Sequence, residues 1–142
     1  MKKDTNCEYA GNYQRGDGYY VYCKNFLKQS EALVNIGING YDNIGCNIMI
    51  DNSIPNYQYD CTNFWVPFCL GDWKYNYFSY ACIGEKTEKT EKDVFYTLED
   101  VLKRHDLLQK HITLKIDCEG CEWSAFKYFP VEYLEYIDQI LI

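Results

Sequence analysis

The chain has 142 residues, enough for one ordinary domain with a buried core. Hydrophobic residues make up 47% and charged ones 25%, a balance that excludes a disordered chain. The formal net charge of -7, with no block of Lys or Arg, argues against a nucleic-acid duplex held through its phosphates. No apolar run approaches the roughly 20 residues of a membrane span.

The first residues, MKKDTNCEYAGNYQRGDGYY, carry two lysines without a hydrophobic stretch behind them. As they stand they are not a signal peptide, and the expected location is cytoplasmic. No linker or internal repeat divides the chain, so 1–142 is read as a single domain with a lead-in over about residues 1–30. ALVNIG (Ala32 to Gly37) is a β-rich run ending in glycine, followed by the turn-rich NGYDN. NIGCNIMID then supplies a helix of only about two turns, short for a crossover. NYQYD (Asn56 to Asp60) is a second strand ending on a carboxylate, and YFSYACIG (Tyr77 to Gly84) a third. GEKTEKTEKD (Gly84 to Asp93) alternates charges without apolar residues and reads as a solvated loop.

Thr97 opens a helix with Asp100 three residues on, a capping pattern, and Leu98, Val101, Leu102 and His105 share its inward face. ITLKID (Ile112 to Asp117) is a fourth strand, followed by a helix through Trp123, Phe126 and Lys127 that stops before Pro130. IDQILI (Ile137 to Ile142) is a fifth strand. Strands alternating with crossovers predict an α/β fold, a mostly parallel sheet with flanking helices. Ligands of such sheets bind beyond the carboxyl ends of the strands, where Gly37, Asp60 and Asp117 fall.

Each of these positions has a plain structural reading beside a chemical one. The glycines of Asn35-Ile36-Gly37-Ile38-Asn39-Gly40 let the backbone turn sharply and lie close to a cofactor, or simply end a strand. Asp60, about 20 residues beyond Gly40, can accept both hydroxyls of an adenosine ribose, or act as a solvated turn residue. Asp117, Glu119 and Glu122 crowd around Gly120 and call for a compensating cation, substrate group, helix N-terminus or Lys115. A helix start accounts for the two glutamates better than for Asp117.

Eight cysteines stand at Cys7, Cys23, Cys46, Cys61, Cys69, Cys82, Cys118 and Cys121. An even count admits a disulfide framework, a pattern of small secreted chains. Several lie inside apolar runs such as YACIG, where a thiol behaves as a small buried hydrophobe. With no leader in view, reduced thiols are the expectation. Cys118-x-x-Cys121 invites a zinc or redox reading, but a structural zinc needs four ligands and no second pair supplies the rest. No metal site is therefore expected.

With these residues in hand, LKIDCEGCEW (Leu114 to Trp123) is similar to the L-K-[IM]-D-x-E-G-x-E-W signature of FkbM-type, class I S-adenosylmethionine-dependent methyltransferases. Both cysteines of the segment fall on its variable positions. RGDGYYVYC (Arg15 to Cys23) resembles the G-D-G-x-Y-V segment before the first strand, and VNIGING the glycine motif. YDCTN around Asp60 resembles the F-D-P-T strand end, with Cys61 in place of proline. WKYNYFSYACIG and TLEDVLKRH resemble the segments that follow.

The resemblance implies a Rossmann-like fold, C-terminally truncated because the chain stops at the fifth strand. It also implies S-adenosylmethionine as cofactor and methyl transfer to the oxygen of a small-molecule or glycan-like acceptor. By position, Asn35, Gly37, Gly40 and Asp17 would border the cofactor, and Asp60 would take its ribose hydroxyls. Asp117 would stand nearest the transferred methyl as the group that orients or deprotonates the acceptor, and Glu119 would hold the acceptor or the local loop. A second reading is a non-catalytic remnant that keeps the fold. A third is a cysteine-based metal-binding or disulfide module.

Overall fold

The computed structural model describes residues 6–14, 18–40, 42–67, 69 and 73–142. The lead-in contains an antiparallel pair, β1 (Tyr9–Gln14) and β2 (Gly18–Cys23), and a short helix α1 (Lys24–Gln29). Strand β3 (Ala32–Ile36) follows, then helix α2 (Asn43–Asn52) and strand β4 (Asn56–Asp60). Next come β5 (Asn76–Tyr80), β6 (Cys82–Ile83), β7 (Glu88–Lys89) and β8 (Val94–Tyr96). Helix α3 (Leu98–Arg104), strand β9 (Ile112–Ile116), helix α4 (Cys121–Lys127) and strand β10 (Ile137–Leu141) complete the order.

Five strands form one parallel sheet in the order β10-β9-β3-β4-β5, so the fold is α/β as expected. The direction of winding reverses between β3 and β9, where Ala32 pairs with Ile112 and Ile36 with Ile116. A crevice opens at such a reversal, beyond the carboxyl ends of the strands. A smaller three-stranded sheet, β6-β8-β7, lies alongside.

The apolar alternation of the sequence explains one face of the large sheet. Ala32, Val34 and Ile36 of β3 and Ile112, Leu114 and Ile116 of β9 pack on Leu98, Val101 and Leu102 of α3 and Ala125 of α4. Each of the larger aliphatic chains contributes roughly 1.5–3 kcal/mol on leaving water. On the other face Leu33 joins Tyr20, Leu27 of α1 and Ile44 and Ile48 of α2. That second face also holds buried Asn35, Asn56, Gln58, Thr113 and Lys115, a polar composition that a core position seldom has.

The helix ends follow local chemistry. The Thr97 side chain accepts the Asp100 amide at 3.1 Å and starts α3, as the capping pattern predicts. The Asp42 carboxylate accepts the Gly45 amide at 2.7 Å and starts α2. So capped, α2 runs ten residues and is a fuller crossover than the expected two turns.

Three further expectations are modified. The third strand is broken at Ala81 into β5 and β6, which enter different sheets. The charged segment 84–93 is exposed over 85–92, but its Glu88 and Lys89 pair with Phe95 and Val94. The cysteines, expected as reduced thiols, are joined as Cys7–Cys23, Cys46–Cys69, Cys61–Cys82 and Cys118–Cys121. Folding brings the Cα atoms of each pair to 4.9–5.5 Å, within bridging reach. Among the described residues, no helix is long and apolar enough to cross a membrane.

Candidate functional site

The carboxyl ends of β3, β4 and β9 meet closely. The Asp117 amide donates to the Ile36 carbonyl at 3.1 Å, and the Gly37 amide to the Tyr59 carbonyl at 2.9 Å. Gly37 has φ +74, and a Cβ there would overlap the Asp117 carbonyl, so no other residue fits this crossing of loops. Buried Lys115 pins the same point by donating from Nζ to the Gly37 carbonyl at 2.7 Å.

Beyond these ends lies a cavity of about 670 Å³. Gly37, Asp60, Asp117 and Glu119 all line it, so folding gathers four of the residues expected from the sequence. Tyr59, Ile83 and Phe95 supply an apolar wall, and two disulfides, Cys61–Cys82 and Cys118–Cys121, border it. The volume falls in the range of small-molecule and cofactor sites.

Asp60 closes the β4 loop. Its Oδ1 accepts the Thr62 amide at 2.7 Å, the Thr62 hydroxyl at 2.8 Å and the Asn63 amide at 2.9 Å. Its Oδ2 accepts the Asn39 amide at 2.5 Å. Burial pushes this carboxyl up, but the donated hydrogen bonds outweigh burial and hold it below its ordinary 3.8. Asp60 is therefore an anion at neutral pH with acceptor capacity left on Oδ2.

Asp117 is half-buried, and its Oδ2 accepts the hydroxyl of Tyr20 from β2. Glu119 is exposed and sits at φ 57, a left-handed conformation unusual for a residue with a side chain. Glu122 turns back on the same loop, accepting the Cys118 amide at 2.6 Å and the Gly120 amide at 2.8 Å. Burial raises its carboxyl, yet those amides and the Lys115 charge bring it below the ordinary 4.5. The glutamate thus does what the plain reading of a loop-and-helix start expected.

The remaining expected residues lie elsewhere. Asn35 is fully buried, donates to Asp42 at 2.6 Å and does not line the cavity. Gly40, at φ +74, lines a second cavity of about 560 Å³ with Asp42, Asn43, Asn63 and Trp65. Asp17 lies outside the described residues.

Sequence reasoning missed Tyr20, Asn39 and Asp42. Tyr20 is 97 residues from its partner Asp117, and a separation that long leaves no local pattern. Asp42 had a local signal, since it immediately precedes the helical run from Asn43.

Among the described residues, no group of three or more His, Cys, Asp or Glu side chains is placed to hold a metal ion. Compared with protein-family models, curated proteins and solved structures, the chain matches none.

Proposed function

We propose that this chain is an S-adenosylmethionine-dependent methyltransferase acting on a hydroxyl of a small molecule or glycan. The observation that carries the reading is the meeting of Gly37, Asp60 and Asp117 on one cavity at the reversal of a parallel sheet. Counted among the five strands alone, the order 3-2-1-4-5 supports the reading, since dinucleotide-binding sheets wind in the order 3-2-1-4-5-6.

The residues fit such a cofactor. Asp60 Oδ2 takes one amide and keeps room for a ribose hydroxyl. Phe95, Ile83 and Tyr59 offer an apolar wall to a base. The acidic rim formed by Asp60, Asp117 and Glu119 favours a cationic ligand. When bound, the cofactor supplies an electrophilic methyl group and little else is asked of the protein than position and charge.

Asp117 is the group that orients the acceptor and takes its proton, and Tyr20 holds that carboxylate in place. Lys115 keeps the Gly37 loop against β9. Glu119 reaches the acceptor from the exposed edge of the cavity.

The four donors already on Asp60 favour a second reading, a chain that keeps the fold with Asp60 serving only its own loop. Calorimetry with S-adenosylhomocysteine separates the two. The enzyme reading expects saturable binding, weakened about 10–100-fold by Asp60→Asn through loss of a charged hydrogen bond. Absence of saturable binding at millimolar ligand would sink it, and an unchanged affinity in Asp60→Asn would remove the ribose role.

A further inference from the structure

The four disulfides are of two kinds. Three join segments that the fold brings together from 16 to 23 residues apart. Cys7–Cys23 ties the start of the lead-in to the end of β2, Cys46–Cys69 ties α2 to the loop after β4, and Cys61–Cys82 ties that loop to β6. Cys118–Cys121 spans three positions and closes only its own turn between β9 and α4. A bridge across so short a loop restricts the unfolded chain least.

The surroundings differ as well. Cys46 and Cys69 are both buried, which denies an attacking thiolate access to their bond, whereas Cys7–Cys23 has one buried end, Cys23, and one half-buried end, Cys7. Cys118 and Cys121 are both half-buried and line the open cavity. Cys61–Cys82 also borders the cavity, but it joins the loop after β4 to β6 across 21 residues of chain, a far longer closed loop than that of Cys118–Cys121. The 118–121 turn has a second fastening, since Glu122 accepts from the amides of both Cys118 and Gly120. When the sulfur bridge opens, these hydrogen bonds keep the two thiols in one turn, ready to close again.

We infer that Cys118–Cys121 is a reversible thiol–disulfide exchange site at the mouth of the cavity, whose partner is a dithiol reductant. A thiolate of the dithiol attacks one of the two sulfurs, breaking the Cys118–Cys121 bond and forming a mixed disulfide. The released sulfur takes up a proton. The second thiol of the reductant then attacks the mixed disulfide, closing the reductant's own disulfide and freeing the other cysteine as a thiol. Two electrons and two protons pass from the dithiol to the protein. Exchange here removes the covalent closure of the turn that carries Glu119 and borders Asp117, while the Glu122 hydrogen bonds hold the turn and the sheet stays intact.

The test is a dithiothreitol titration of the native full chain, with alkylation of exposed thiols and peptide mapping of each cysteine. Cys118 and Cys121 are expected to label together at a reductant concentration about tenfold or more below that needed for the other six, as exposed bridges reduce before structural ones. Labelling together with or after Cys61 and Cys82, or only once circular dichroism shows unfolding, overturns the inference. The double substitution Cys118→Ser and Cys121→Ser is expected to keep the fold and the other three bridges. Its unfolding would make the bond structural and overturn the inference too. Both readouts are independent of nucleoside binding, so the fate of the proposed function does not decide them.

Discussion

The two faces of the central sheet are built on opposite principles. Facing α3 and α4, β3 and β9 present only aliphatic side chains, and the stabilisation is non-directional burial. Facing α2, β3 and β4 present Asn35, Asn56 and Gln58, all fully buried, and their amides converge on one carboxylate. Asp42, only 3% exposed, accepts from Asn35 at 2.6 Å, from Asn56 at 2.8 Å, from Gln58 and from the Gly45 amide. This sheet is held by packing on one side and, on the other, by packing around Leu33 together with a fixed hydrogen-bond geometry. The polar side also sets the register of β3 on β4, because Asn35 and Gln58 are paired across the strands.

The largest effect is expected from breaking the polar side. Asp42→Ala removes a helix cap, leaves the buried amides of Asn35 and Gln58 without this acceptor and leaves Asn56 only Asn76, a loss of about 3–5 kcal/mol. Urea unfolding monitored by circular dichroism measures it, and a loss below about 1 kcal/mol would show that burial alone holds both faces. The matched change on the apolar side, Leu102→Ala, should cost about 2–4 kcal/mol, the usual range for a buried leucine. If Leu102→Ala proved the costlier of the two, the contrast between the faces would be reversed.

The smallest effect concerns pH and lies on the apolar side. His105 stacks on Tyr57 at 3.9 Å and shares a 2.7 Å hydrogen bond with the Tyr59 hydroxyl. Burial, helped by the neighbouring Arg104 charge, holds its imidazole below the ordinary 6.5. The unfolded chain then binds the proton more readily, so the stability His105 contributes is present above pH 6.5 and is lost as pH falls toward the folded value. Unfolding midpoints of the native chain should decline between pH 7 and 5, and His105→Gln should flatten that slope. An equal slope in the variant would assign the titration elsewhere. Asp60 acts in the same direction at lower pH, its contribution fading as pH falls below 3.8.

Much of the architecture was legible in the amino-acid order, because it rests on short-range periodicity. ITLKI and ALVNI announce strands buried on both sides, and Thr97 with Asp100 announces a helix start. The carboxyl ends of three strands pointed to Gly37, Asp60 and Asp117, which the fold then sets around one cavity. Asn35 was legible only as part of a glycine motif, whereas its side chain belongs to the Asp42 network on the helix side.

The sequence alone thus determined the strands, the main helices and the line of residues at the strand ends, since each depends on neighbours within a few positions. Tertiary structure alone decided which carboxylates are saturated and which face the cavity. It brought Tyr20 to Asp117 across 97 residues, gathered three amides on Asp42, and matched cysteines up to 23 positions apart. The physical reason is range: propensity and capping act along the chain, while hydrogen-bond saturation and disulfide partnership depend on which distant segments the sheet places side by side.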